Sequence, residues 1–257
     1  MPSPSTPDTD RYVKLPHEQI TTGRGAVLEA DDMQGSHADV GIGYGQTKWV
    51  SEQFVWEVGK HGLRGAVVRP GYILGSRENG VSNTLHVLIK LCKGYVQLGA
   101  RPLIINSVNT VPMDHVARVV IASPPSINVV YATAHPRLCM NEFLSASEYS
   151  DYKVPEVDYG EWKTQLEEFV SAGPAEKDQE QSALMPLFHM ATSNLPLTTR
   201  APELDDRNAA AVLKTDAEPW TGIDDSAGDG ITREDIGRYL RFLAEIKFMP
   251  FLTGRGH

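Results

Sequence analysis

The chain has 257 residues, 41% of them hydrophobic and 22% charged, an ordinary globular composition with enough apolar material for a sizeable core. Its formal net charge of −9 speaks against a general nucleic-acid binder, which needs a basic patch, and against docking on anionic membranes. The two cysteines, Cys92 and Cys139, form no disulfide framework and have no ligand-spaced partner; with no run near the roughly eighteen apolar residues of a membrane span, a reducing cytoplasm is the default compartment.

Residues 1–10, Met-Pro-Ser-Pro-Ser-Thr-Pro-Asp-Thr-Asp, read on their own as a polar leader. Residues 11–40 are a loop-rich connector with one short helical piece near Leu15–Thr21 and turn chemistry at Asp31-Asp-Met-Gln-Gly35. Gly41-Ile-Gly-Tyr-Gly-Gln-Thr-Lys48 then opens an amphipathic helix. Val50, Phe54, Val55 and Val58 recur at helical spacing, and Gly59 and Gly62 close it. Tyr44 and Lys48 stand one turn apart on the same face, with about 5–6 Å between Cβ atoms. A free phenol has a pKa of roughly 10. A neighbouring ammonium favours the phenolate and lowers that value, and a tyrosine so tuned can serve as acid or base on a carbonyl or hydroxyl oxygen. The spacing by itself is common, so its meaning depends on what surrounds it.

Gly65-Ala-Val-Val-Arg69 is a short apolar run bounded by Gly and Pro, as for a buried parallel strand. Arg69-Pro-Gly-Tyr-Ile leaves its carboxyl end, where ligands sit in open α/β sheets. Pro70 removes a donor and fixes the turn, and Gly71 permits close backbone approach. Ser82 to Leu98 is helical by pattern, with Leu85, Leu88, Ile89, Cys92 and Val96 on one side. Ile104 and Ile105 suggest a short strand. Asn106 to Asp114 leads into a helix through Ala122, with Asp114 as its cap and His115 as a structural histidine. Asn128 to Ala134 reads as another strand.

Beyond it come amphipathic helices over Asn141–Tyr149, Tyr159–Ala172, Gln179–Met190, Arg200–Glu218 and Ile231–Phe248, punctuated by Pro155, Pro174 and Pro196. Trp56, Trp162 and Trp220 are packing residues in this reading. Gly41-Ile-Gly-Tyr-Gly45 lacks the last glycine of a dinucleotide loop. Asp224 to Gly230 lacks the glutamate that a calcium loop carries at its twelfth position, and no zinc spacing occurs, so no metal is expected.

Three blocks in order, Gly43-Tyr-Gly-Gln-Thr-Lys-Trp-Val-Ser-Glu-Gln53, Leu63-Arg-Gly-Ala-Val-Val-Arg-Pro-Gly-Tyr-Ile-Leu-Gly75 and Asn109-Thr-Val-Pro-Met-Asp-His-Val-Ala-Arg118, resemble the extended short-chain dehydrogenase/reductases. More closely they are similar to the thioester-reductase domains at the C-terminus of fungal α-aminoadipate reductases. The similarity continues in Thr133-Ala-His-Pro-Arg137, Pro202-Glu-Leu-Asp-Asp-Arg-Asn208, Trp220-Thr-Gly222 and Glu234-Asp-Ile-Gly-Arg-Tyr-Leu240.

The resemblance implies an α/β fold: an incomplete Rossmann-type parallel sheet with a C-terminal, mainly helical substrate subdomain. Residues 1–135 would be the C-terminal half of the NAD(P)-binding domain and 136–257 the substrate subdomain. The implied activity is NADPH-dependent reduction of a carrier-bound 2-aminoadipyl thioester to the semialdehyde, in lysine biosynthesis. Tyr44 would protonate or hydrogen-bond the developing oxyanion. Lys48 would hold the nicotinamide ribose and lower the phenol's pKa. Pro70, Gly71 and Tyr72 would lie beside the nicotinamide. A hydroxyl from the Ser3–Thr6 segment would polarise the carbonyl; Ser5 is the nominee, because Pro4 stands at the family's own hydroxyl position.

The family's opening strand and Gly-x-x-Gly-x-x-Gly loop, which hold the cofactor pyrophosphate, are not found here. The expectation is therefore a C-terminal portion whose partners are an N-terminal half of the same reductase and a phosphopantetheine-linked acyl group on a carrier domain. Such a chain would expose a sheet edge and apolar faces and bind NADPH poorly alone. The alternatives are another carrier-thioester, peptide-synthetase or carboxylic-acid reductase, a nucleotide-sugar enzyme, or a non-catalytic, carrier-binding module.

Overall fold

Short runs such as Val67–Pro70, Tyr72–Ile73 and Arg101–Pro102 give this chain its strands, and each of these three pairs in parallel with a strand distant along the sequence. The computed structural model describes residues 27–30, 43–124, 129–150, 152–172, 182–220 and 230–249. The chain divides into two compact units, one of residues 1–73, 107–138 and 200–231, the other of 74–106, 139–199 and 232–257.

In the first unit, helix α1 (Gly43–Lys60) leads through a turn at Gly62, with φ of +94°, into strand β1 (Val67–Pro70). A residue with a Cβ rarely adopts that backbone, which is why glycine stands there. Strand β1 pairs with β6 (Val129–Ala132), Val67 opposite Val129 through Pro70 opposite Ala132. The chain bends at Gly71 and continues as β2 (Tyr72–Ile73), paired with β5 (Thr110–Val111). Helix α3 (Met113–Ala122) and helix α7 (Arg207–Trp220) cover one face: Val119, Val130, Ala132, Ala209 and Leu213 form a dry cluster. Val119, Val130 and Leu213 each contribute about 1.5–3 kcal/mol by leaving water. Val27 joins through a bridge to Leu204, and its neighbour Glu29 accepts from the Tyr131 and Asn208 amides at 3.0 and 2.8 Å.

The second unit is mainly helical. Helix α2 (Val87–Leu98) is capped by His86, whose Nδ1 accepts from the Leu88 amide at 3.2 Å, and ends at Gly99 with φ of +79°. Its start falls five residues after the expected Ser82, because Asn83 and His86 use their side chains to accept from amides ahead of them. Strand β3 (Arg101–Pro102) pairs with β8 (Glu156–Val157). The buried Arg101 guanidinium donates to Asn141 and is shared by Glu148 and Glu156. Helix α4 (Met140–Ser145) runs into a tighter turn over Ala146–Ser150. In α5 (Tyr159–Ala172) Trp162 is fully buried and donates to the Ala100 carbonyl at 2.9 Å.

Helix α6 (Phe188–Thr198) is broken at Asn194. The Leu195 amide donates to the Tyr159 hydroxyl at 3.1 Å, and that hydroxyl donates to the Ala191 carbonyl at 2.9 Å. Leu195 and Ala191 would bond each other directly in an unbroken helix; a phenol from α5 stands between them. Helix α8 (Arg233–Glu245) begins in a reciprocal cap between Thr232 and Asp235.

Several expected details differ. Ile104 and Ile105 are not in a strand; the pairing falls on either side, at β3 and at β4 (Ser107–Val108). Asp114 does not cap α3, whose cap position is Pro112 with no side-chain bond; Asp114 sits in the first turn, where its charge complements the helix dipole. The helix expected over Gln179–Met190 is a short turn at Met185–Leu187 followed by α6, with residues 173–181 outside the described set. No described helix is long and apolar enough to cross a membrane.

Candidate active site

Tyr44 lies in the first turn of α1 and is 44% exposed. Lys48, also exposed, places its Nζ 5.5 Å from the centre of the Tyr44 ring. Thr47 and Ser51 return their hydroxyls to the carbonyls of Tyr44 and Thr47, both at 2.8 Å, so these two hydroxyls stay bound to the helix itself. The pair is thus brought together as its spacing predicts.

The phenol's acidity differs from the expectation. Partial burial pushes the Tyr44 phenol above its ordinary value of 10.0. Lys48 stands over the ring rather than beside the hydroxyl, and it is open to water that screens its charge. A phenol held protonated in this way is an acid at neutral pH.

The face of α1 that meets the rest of the unit is not its apolar stripe. Val50 is 57% exposed and Phe54 68%, whereas Glu52 is buried at 6%. Glu52 lies one turn beyond Lys48, and its carboxylate takes both Nε and Nη2 of Arg69 in β1, the first at 3.2 Å. Arg69 is fully buried, donates from Nη1 to the Tyr131 hydroxyl at 3.0 Å, and lies over that ring at 5.4 Å. Trp56, another turn along, donates to Glu52 at 3.4 Å. The sequence reading missed Glu52; its position four residues after Lys48 was the available signal.

At the carboxyl end of β1 the backbone is tightly seated. The Gly71 amide donates to the Ala132 carbonyl at 3.1 Å and the Tyr72 amide to the Asn109 carbonyl at 2.6 Å. A Cβ on Gly71 would meet the Asn109 oxygen at 2.3 Å, so the close approach at this glycine is to β5's entry strand. Pro70 is half-buried, and the Tyr72 side chain is 3% exposed, so what this segment turns outward is the proline ring. Just past the end of the neighbouring β6, Thr133 donates to Asp206 at 2.7 Å, and the same carboxylate oxygen lies 2.8 Å from His135 Nε2. His135 and Asp206 fall in blocks that carried the resemblance, but they were assigned no role.

The donor set on α1, an exposed phenol and an exposed ammonium on one face, suits a ribose diol and a carbonyl oxygen, which is what the nicotinamide end of a dinucleotide with its substrate would present. Ser5 lies outside the described residues. Among the described residues no group of three or more His, Cys, Asp or Glu side chains could hold a metal ion.

The family described as male sterility protein, an NAD-binding domain, matches residues 3–120. The L-2-aminoadipate reductase large subunit of Penicillium chrysogenum is 49% identical over 259 residues, covering 99% of this chain and 18% of that protein. The chain therefore spans about a fifth of the length of the curated relatives it matches. Among solved structures, the terminal R domain of the myxalamid biosynthetic pathway superposes with a TM-score of 0.71 at 21% identity, covering 88% of this chain and 55% of that one. A thiolation-reductase di-domain from an archaeal non-ribosomal peptide synthetase gives 0.66 at 15% identity, over 90% and 46%. These two solved structures share the α/β fold of this chain.

Proposed function

We propose that the chain is the C-terminal part of a thioester-reductase domain like that of the fungal L-2-aminoadipate reductases, to one of which it is 49% identical, and that it supplies the proton donor and the acyl-binding helices for reducing a carrier-bound 2-aminoadipyl thioester to the semialdehyde. The observation that carries the reading is the Tyr44–Lys48 face of α1, an exposed phenol with an ammonium 5.5 Å from its ring.

When bound, a reduced nicotinamide, which we assign as NADPH, would supply the hydride. Lys48 holds the nicotinamide ribose through its ammonium. Tyr44 hydrogen-bonds the thioester oxygen and gives it a proton as hydride adds to the carbonyl carbon, which leaves a hemithioacetal. That proton returns to the phenolate as the C–S bond breaks, releasing the semialdehyde and the carrier thiolate, which takes its proton from water. The phenol is protonated at neutral pH and so carries the proton that the first of these steps needs. Pro70 offers a rigid apolar edge for the nicotinamide, with Gly71 and Tyr72 holding the turn in place beneath it. Ser5 remains our nominee for the hydroxyl that polarises the carbonyl. In this reading residues 1–135 serve the cofactor side and the helices within 136–257 serve the acyl side.

The likeness to a thiolation-reductase di-domain supports a phosphopantetheine-linked acyl group on a carrier domain as the substrate-bearing partner. The exposed stripe of Val50, Val55 and Phe54 on α1 supports a second partner, the preceding half of the same reductase, packed over it. Place in lysine biosynthesis and a cytoplasmic location follow from the same reading.

The test is Tyr44→Phe in a reductase polypeptide that turns over. We expect kcat for the aminoadipyl-loaded carrier to fall by roughly a hundredfold or more. Unchanged turnover would remove Tyr44 from the chemistry.

A further inference from the structure

Helix α1 is fastened to its unit in an unusual way. Apart from Gly45, which has no side chain, its one buried residue among those described is Glu52, at 6% exposure. Glu52 meets a fully buried Arg69 through two parallel N–H···O bonds, and Arg69 is held in turn by the Tyr131 hydroxyl and ring. Arg69 and Tyr131 face each other across the β1–β6 register, so the anchor point is the sheet itself. An apolar face can slide and roll against its neighbours. A bidentate guanidinium–carboxylate pair fixes both distance and angle.

We propose that Glu52 and Arg69 are positioning residues: their buried pair sets the rotation and depth of α1 on strand β1, and so fixes where Tyr44 and Lys48 stand. The spacing makes the coupling direct, because Tyr44, Lys48 and Glu52 follow one another at intervals of four along the same side of the helix. Side-chain tips lie about 6 Å from a helix axis, so a rotation of about 20° carries the phenol oxygen about 2 Å. A misplacement of about 1 Å in a reacting group can cost a hundredfold in rate. Arg69 also sits next to Pro70, so one residue indexes both the helix and the loop at the strand's end.

The inference rests on reading Tyr44 and Lys48 as catalytic, but its test needs no turnover. Tyrosine labelled with ¹³C at Cζ is titrated by NMR in the 257-residue chain, with Tyr44 assigned through Tyr44→Phe. Tyr159, whose phenol burial also pushes up but which lies in the other unit, is the internal control. The double variant Glu52→Gln/Arg69→Met removes both charges together and leaves neither buried alone. The Tyr44 midpoint should fall toward that of a free tyrosine while Tyr159 stays put. Glu52→Asp keeps the pair but shortens its reach by one methylene; it decides the matter if the double variant does not fold, and it too should move Tyr44 alone. An unmoved Tyr44 in a folded variant, or Tyr44 and Tyr159 moving together, would show a merely structural pair and overturn the proposal. A Tyr44→Phe reductase of full activity would sink the catalytic reading and leave the titration result standing, so the two failures are distinguishable.

Discussion

Gly71 has no room for a methyl group, because a Cβ would stand 2.3 Å from the Asn109 carbonyl oxygen, which is backbone and cannot swing away. Gly71→Ala should therefore push β2 off β5 and cost about 1–3 kcal/mol, seen as a lower urea midpoint. Gly59, near the end of α1, meets nothing within 4 Å. Gly59→Ala should raise the midpoint instead, by about 0.5–1 kcal/mol, since alanine loses less backbone freedom in a helix. The sequence marked Gly71 as a site of close approach but could not say to what. The partner is Asn109, distant along the chain, and single-residue propensity carries no such information. Glu52 was hidden for the same reason. A glutamate within an apolar helix pattern reads as solvated unless the arginine seventeen residues on is known to turn inward.

Helix α2 illustrates how a cap can be titrated. Burial of the His86 ring pushes its pKa from 6.5 down to about 4, and the neutral ring is what accepts from the Leu88 amide. Its folded-state value lies below the unfolded one, so its contribution is complete above pH 6.5. It drains away as pH falls through the window down to about 4, with no further loss from this group below that. A shift of that size corresponds to about 3–4 kcal/mol at most. His86→Asn, which keeps an N-cap acceptor, should flatten the fall in denaturation midpoint between those two pH values. Among the elements, α5 was legible at both ends from Tyr159 to Ala172, because its apolar residues and flanking prolines agree. Helix α1 was legible in extent but not in orientation: its apolar stripe faces outward and its buried contact is an ion pair. Periodicity detects a face but not what covers it.

At the scale of the whole molecule, the outward Val50, Phe54 and Val55 form a patch that water does not favour. Phe54→Gln should leave the thermal midpoint nearly unchanged, within about 0.5 kcal/mol, while reducing self-association measured by light scattering. In the proposed reading, Tyr44 and Lys48 serve the nicotinamide ribose and the substrate carbonyl, not the pyrophosphate. A fluorescence titration of the 257-residue chain with NADPH should accordingly give only weak binding, and micromolar affinity would show that the pyrophosphate is held here as well. The strands near Gly65–Arg69 and Asn128–Ala134 were legible as short apolar runs, but their register with each other and the break in α6 were not, because both depend on partners distant along the chain. That break is authored from elsewhere. Its donor and acceptor shake hands through an oxygen that α5 extends, so phenylalanine at position 159 would strand both at once. Helix α6 can keep its bend only as long as α5 keeps its hydroxyl, and the two segments are bound to change in step as such chains diverge.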